Sequence, residues 1–129
     1  MTETTRILYV EDDNDVRYLL LQFLELLGYE VKGADNGQTG VEIAEQWQPD
    51  IILMDLNMPV MDGLQAIRIL RQRPLTAKIP IVVLSGDRDQ NTRDECRRAG
   101  ADRFFTKPPD FFLISSLITE LTKSGDQPQ

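Results

Sequence analysis

IILMDLNMPVMDG, the stretch from Ile51 to Gly63, carries the strongest structural signal in the chain. Its four leading apolar residues run directly into Asp55, and this run is too short for a helix and too uniformly apolar for a half-exposed strand. The run therefore predicts a central strand that is covered on both faces. Open α/β sheets bind ligands just outside the carboxyl ends of their strands, so Asp55 is the first candidate for chemistry.

Similar short strands are predicted to begin near residues 7, 29, 81 and 103. Amphipathic helices separate them, and the clearest has apolar residues from Val16 to Leu27 at i, i+3, i+4 and i+7 spacing. Asp13 or Asn14 is a suitable N-cap for the first helix and Asp62 for the third, and Asn36-Gly37 opens the second. Strands alternating with helices predict an α/β fold: one domain, a (βα)5 three-layer sandwich with a parallel five-stranded sheet.

Length and charge exclude several classes of protein. The chain has 129 residues, the size of one domain, and a formal net charge of −7, which argues against direct nucleic-acid binding. No apolar segment is long enough for a membrane span or typical of a signal peptide, so we expect a cytoplasmic protein. The chain contains no histidine, which excludes Ser-His-Asp and Cys-His catalysis by its own residues. The single Cys96 is expected to be a buried or half-buried helix residue.

Chemically active side chains follow four of the predicted strands, at Glu11 and Asp12, Asp55, Ser85 and Lys107. The carboxyl ends of parallel strands share one edge of the sheet, so these residues should converge there. Three neighbouring carboxylates repel one another and favour a hard cation such as Mg²⁺ or Mn²⁺. With the lysine and the hydroxyl, the cation could neutralise a phosphoryl group that Asp55 attacks as a nucleophile.

Several motifs, in this order and spacing, make the chain resemble a receiver domain of the bacterial response-regulator family. The motifs are Val10-Glu11-Asp12-Asp13, Met54-Asp55-Leu56-Asn57-Met58-Pro59, Met61-Asp62-Gly63, Leu84-Ser85-Gly86, Ala99-Gly100-Ala101 and Lys107-Pro108. The resemblance covers nearly the whole chain and implies a flavodoxin-like fold with strand order 2-1-3-4-5.

The resemblance also implies roles for individual residues. Asp55 would be the phospho-acceptor and would bind the metal together with Asp12 directly, Glu11 through water and the backbone carbonyl of Asn57. Ser85 would supply the hydroxyl that moves toward the phosphoryl group, and Lys107 would be its ion-pair partner.

Three further expectations follow from the same resemblance. Phe104 stands at the aromatic switch position, where a tyrosine is common, and an inward orientation should be easier without the hydroxyl. Asn57 and Asp87 would tune attack by hydrolytic water. Pro108 is the candidate for a cis peptide bond.

The expected function is a phosphorylation switch in a two-component system or phosphorelay. The partners would be a histidine kinase or histidine phosphotransfer protein and a downstream effector, with binding changed at the helix 4, strand 5 and helix 5 face. The protein would be no enzyme beyond its own phosphorylation and dephosphorylation, and a monomer or weak dimer. Residues 1–123 would form the domain, and 124–129 a polar tail or the start of a linker.

Three alternatives deserve comparison. A flavodoxin-like cofactor binder would offer amides or hydroxyls after the first strand, where this chain has acidic residues. A phosphatase of the haloacid dehalogenase type needs a second aspartate at the position of Asn57. The most serious alternative is a receiver-like interaction module that is not phosphorylated.

On the fourth helix, surface charges are predicted to pair as Asp89 with Arg93 and Asp94 with Arg98.

Overall fold

The computed structural model describes residues 4–87, 89–107 and 110–123. The proposed cis peptide at Pro108 and the proposed tail at 124–129 lie outside these residues. The elements in chain order are β1 Arg6–Val10, α1 Asn14–Leu26, β2 Glu30–Ala34, α2 Gly37–Trp47, β3 Ile51–Asp55, α3 Gly63–Gln72, β4 Ile81–Ser85, α4 Gln90–Ala99, β5 Arg103–Thr106 and α5 Phe111–Lys123.

The five strands form one parallel sheet in the order β2-β1-β3-β4-β5, which confirms the predicted flavodoxin-like fold. Every residue of β3 is buried, as its apolar run predicts. Alternate residues of β3 enter two separate cores: Ile52 and Met54 pack with α2, α3 and α4, whereas Ile51 and Leu53 pack with α1 and α5. The three-layer sandwich follows, because helices cover both faces of the sheet.

The predicted caps hold the helices that surround the site. Asp13 accepts a hydrogen bond from the Val16 amide at 3.0 Å, and Asp62 accepts one from the Gln65 amide at 2.9 Å. Asn36 caps α2 in the same way. At the start of α3, a Cβ on Gly63 would collide with the carbonyl oxygen of Asp55, so glycine is needed for α3 to begin against the end of β3.

The predicted charge pairs on α4 are wrong. Asp94 pairs with Arg97 at 3.2 Å, not with Arg98. Asp89 caps the helix by accepting from the Asn91 amide, and Arg93 instead donates to the Thr106 hydroxyl of β5 at 3.1 Å. Capping and a neighbouring strand supply better partners than helical spacing alone, because exposed pairs contribute little.

Candidate acceptor and metal site

The three predicted carboxylates converge at one edge of the sheet. Glu11 and Asp12 follow β1, Asp55 ends β3, and β1 and β3 are neighbours with Val10 opposite Met54. Carboxylate oxygens of Glu11, Asp12 and Asp55 all lie within 4.8 Å of one another. Glu11 and Asp55 are buried and Asp12 is exposed, so the cluster opens to solvent on one side.

Lys107 reaches this cluster from the loop after β5. Its Nζ lies 2.7 Å from Glu11 Oε1 and 3.3 Å from Asp55 Oδ1. Its backbone amide donates to the carbonyl oxygen of Ser85 at 2.7 Å, which holds the start of the loop beside the end of β4. One ammonium group therefore bridges two of the three carboxylates, which leaves an excess of negative charge.

This charge excess appears in the pKa values. Burial, together with the neighbouring charge of Glu11, raises the pKa of Asp55 from its usual 3.8 to about 6, although Lys107 opposes the shift. Burial also acts to raise the pKa of Glu11, but hydrogen bonds from Lys107 and the Asp13 amide outweigh it and hold that pKa low. Burial acts to lower the pKa of Lys107, but the two carboxylates raise it overall, so the lysine stays charged.

Ser85 is fully buried at the end of β4 and is connected to α4. Its Oγ accepts a hydrogen bond from the Asp87 amide at 3.0 Å. The Asp87 carboxylate in turn accepts from the Asp89 amide at 2.8 Å and from the Thr92 hydroxyl at 2.9 Å, and these bonds lower its pKa. The hydroxyl expected to respond to phosphorylation is thus linked through one loop residue to the first turn of α4.

Asn57 and Phe104, the other two predicted residues near α4, differ in their surroundings. Asn57 is exposed and lines a cavity of about 170 Å³, together with Asp87 and with Cys96, which is buried as predicted. Phe104 is half-buried, and the Arg93 guanidinium lies 4.9 Å from the centre of its ring. The aromatic side chain is therefore covered by a residue of α4.

Two residues outside the predicted set also contact the site. The hydroxyl of Tyr9 donates to Glu11 Oε1 at 3.1 Å, and Arg17 donates to the backbone carbonyl of Glu11 at 2.6 Å. Tyr9 had a recognisable signal: it lies two residues before Glu11 on a strand, hence on the same face, and a buried phenol needs a partner.

The donor set fits Mg²⁺. All three side chains supply oxygen, the ligand atom that this cation prefers, and the exposed side of the cluster leaves room for the waters that Mg²⁺ retains. The site contains no histidine and no thiol, since Cys96 lies in α4, so its chemistry differs from that of a zinc site.

Residues 7–119 match the family model of the response regulator receiver domain, and the chain belongs to this family. Receiver domains are signalling switches, not classical enzymes. They bind Mg²⁺ in an acidic pocket and interact with histidine kinases and effectors. This chain has an acidic cluster of Glu11, Asp12 and Asp55. No helix in the described part of the chain is long and apolar enough to cross a membrane.

The match covers most of one relative but only a small part of another. The chain is 38% identical to protein PilH of Pseudomonas aeruginosa over 105 residues, which cover 81% of this chain and 87% of PilH. It is 34% identical over 118 residues to regulatory protein AtoC of Escherichia coli, but these residues cover 92% of this chain and only 25% of AtoC.

A similar solved structure is the receiver domain of the sensor histidine kinase PA1611 of Pseudomonas aeruginosa. The identity is 30%, the TM-score is 0.87, and the match covers 95% of this chain and all of that one. That structure is described with a magnesium ion coordinated in its active site cleft.

Proposed function

We propose that this chain is a phospho-acceptor switch that is phosphorylated on Asp55 in a Mg²⁺-dependent reaction. The observation that carries the proposal is the position of Asp55, whose carboxylate lies 3.3 Å from Lys107 Nζ and within 4.8 Å of two other carboxylates. Because residues 1–129 contain no histidine, the phosphohistidine donor would lie outside them, on a histidine kinase or a histidine phosphotransfer protein.

In the transfer step, an oxygen of Asp55 attacks the phosphorus atom of the donor. The bond between phosphorus and the donor's imidazole nitrogen breaks, and its electron pair leaves with that nitrogen. The product is an acyl phosphate on Asp55. Hydrolysis returns the switch to its unphosphorylated state. Water attacks the phosphorus, the Asp55 carboxylate leaves, and inorganic phosphate is released.

The side chains around Asp55 have distinct roles in this step. Asp12, Asp55, the Asn57 carbonyl and, through water, Glu11 would hold Mg²⁺, which neutralises charge on the phosphoryl oxygens when bound. Mn²⁺ prefers the same oxygen ligands and would substitute for it. Lys107 supplies a fixed positive charge, and Asn57 and Asp87 border the approach of hydrolytic water.

The output would be a change in the surface formed by α4, β5 and α5. When the Ser85 hydroxyl turns toward a phosphoryl group, it gives up the bond from the Asp87 amide, and the loop that is bonded to Thr92 is released. Arg93 of α4 lies over the ring of Phe104 in β5, so a movement of α4 would change how far the Phe104 ring is covered. Phosphorylation would thus shift a two-state equilibrium that an effector protein reads.

The second candidate is a receiver-like module that binds a partner without phosphorylation. The two are separated by incubating the protein with acetyl phosphate and Mg²⁺ and measuring its intact mass. We expect the wild type to gain one phosphoryl group, and neither Asp55→Asn nor the wild type in EDTA to gain it. Asp94→Asn, on the surface of α4, is the control and should label normally. An unlabelled wild type, or a labelled Asp55→Asn variant, would overturn the proposal in favour of the second candidate.

A further inference from the structure

Tyr9 is a fully buried polar residue directly beneath the acceptor site. It belongs to β1 and packs in the core between the sheet and helices α1 and α5, with 0% of its surface exposed. Its hydroxyl donates to Glu11 Oε1 at 3.1 Å. The reaction described above makes no use of this hydroxyl, yet a phenol is placed in this core where phenylalanine would supply the same apolar ring.

Three hydrogen bonds hold the Glu11 carboxylate, and one of them comes from the Tyr9 hydroxyl. Oε1 of this carboxylate accepts from both Tyr9 and Lys107, and Oε2 accepts from the Asp13 amide at 3.1 Å. Tyr9 and the Asp13 amide belong to the strand and to the helix cap, so their positions are set by backbone structure. These two groups hold the Glu11 carboxylate from two sides. The third partner, Lys107, has a long and flexible side chain.

Lys107 depends on this fixed carboxylate for its own position. It follows β5, which is separated from β1 by β3 and β4 in the sheet, and its ammonium group spans the site to reach Glu11 at 2.7 Å. On the way it passes Asp55 at 3.3 Å. The location of Glu11 Oε1 therefore determines where the positive charge lies relative to the acceptor oxygen.

We propose that Tyr9 is a positioning residue for the acceptor site: its hydroxyl fixes Glu11 in the orientation that holds Lys107 beside Asp55. The inference rests on the proposed function, since the consequence is a faster transfer to Asp55. The effect of Tyr9 on the position of Lys107 does not depend on phosphoryl transfer, so it can be measured separately.

The kinetic test is a double-mutant cycle with Tyr9→Phe and Glu11→Gln. Phosphorylation by acetyl phosphate at saturating Mg²⁺ should slow by about fivefold to tenfold in Tyr9→Phe, which corresponds to roughly 1.0 to 1.4 kcal/mol. In the Glu11→Gln background the same change should alter the rate by less than about twofold, because a neutral amide at position 11 no longer holds the Lys107 ammonium group by an ion pair, even where Tyr9 still donates to it. Tyr29→Phe, which packs against the same core, is the matched control and should react at the wild-type rate.

The geometric test follows the Lys107 ammonium group by NMR in protein without phosphodonor or Mg²⁺. The chain has only four lysines, Lys32, Lys78, Lys107 and Lys123, so Lys107→Arg identifies the signal. A hydrogen-bonded Lys107 ammonium should give a resonance that moves or exchanges faster with water in Tyr9→Phe, and stays unchanged in Tyr29→Phe.

The two tests separate failure of this inference from failure of the proposed function. If the wild type is not phosphorylated, the proposed function fails, and the NMR measurement alone decides the role of Tyr9. If Tyr9→Phe leaves the lysine resonance unchanged, or slows transfer equally with and without Glu11, Tyr9 is a core residue only and the inference is overturned.

Discussion

Replacing Asp55 with asparagine should make the folded protein more stable while removing its acceptor. The pKa of Asp55 is raised from 3.8 to about 6, chiefly by burial and then by the charge of Glu11. A shift of about two units corresponds to roughly 3 kcal/mol of unfavourable free energy for the charged form in the native state. This net shift already includes the opposing attraction of Lys107, whose Nζ lies 3.3 Å from Asp55 Oδ1, so we expect the uncharged asparagine to give a gain of about 1 to 3 kcal/mol at neutral pH.

The pH dependence has a definite sign. A carboxyl group whose pKa is higher in the folded state stabilises the fold below its unfolded pKa, and this contribution is lost as pH rises through the folded pKa. The advantage of Asp55→Asn over the wild type should therefore be full above about pH 7 and should shrink between pH 6 and pH 4. Glu11 has a lowered pKa and contributes with the opposite sign, but it is present in both proteins.

The assay is urea denaturation in EDTA at pH 7.5 and at pH 4.5, with the wild type, Asp55→Asn and Asp94→Asn. Asp94 lies on the surface of α4 and pairs with Arg97, so its replacement should change the free energy of unfolding by at most about 0.5 kcal/mol. If Asp55→Asn is no more stable than the wild type at pH 7.5, or if its advantage is as large at pH 4.5, the electrostatic account of the site is refuted.

Three further predictions concern the metal, the loop after β3 and the end of α3. Addition of Mg²⁺ at about 100 times its Kd should raise the free energy of unfolding by about 2.7 kcal/mol, and Asp12→Asn should remove most of this gain in a thermal melt. Val60 is β-branched, 76% exposed and has a φ of 69°, so Val60→Asn should stabilise the protein by about 1 kcal/mol, and a loss of stability in denaturation would contradict the strain argument. Arg71 donates to the carbonyls of Gly100 and Ile79 and pairs with Asp102, so Arg71→Lys should destabilise by about 2 to 4 kcal/mol. In the control Arg73→Lys, an exposed pair with Glu45, the change in urea midpoint should be small, and equal losses in the two variants would argue against a special role for Arg71.

The order of the elements and the main site residues were predictable because they depend on local patterns. Apolar runs of the right length predicted the strands, and cap residues such as Asp13 and Asp62 predicted where helices begin. Parallel strands bring their carboxyl ends to one edge, so the sequence predicts that Glu11, Asp55 and Lys107 meet, as they do.

Contacts between distant side chains were not predictable in the same way. The α4 charge pairs were predicted wrongly because helical spacing says nothing of a competing partner on β5, and Arg93 takes Thr106. The Arg71 contacts, which join the end of α3 to the loop before β4 and to the end of α4, leave no pattern in the sequence either. Such contacts depend on how helices sit against the sheet.

Three features could be inferred from the sequence alone: the order of strands and helices, the edge at which the carboxylates gather, and the resemblance to the receiver family. Each of these depends on periodicity and on residues at the ends of strands, which are local properties of the chain. Tertiary packing, in contrast, brings both Tyr9 and Lys107 to Glu11, and it raises the pKa of Asp55 through burial and through the nearby charge of Glu11. The physical reason is that hydrogen bonding and electrostatic energies depend on distances of a few ångströms and on burial, and packing sets both.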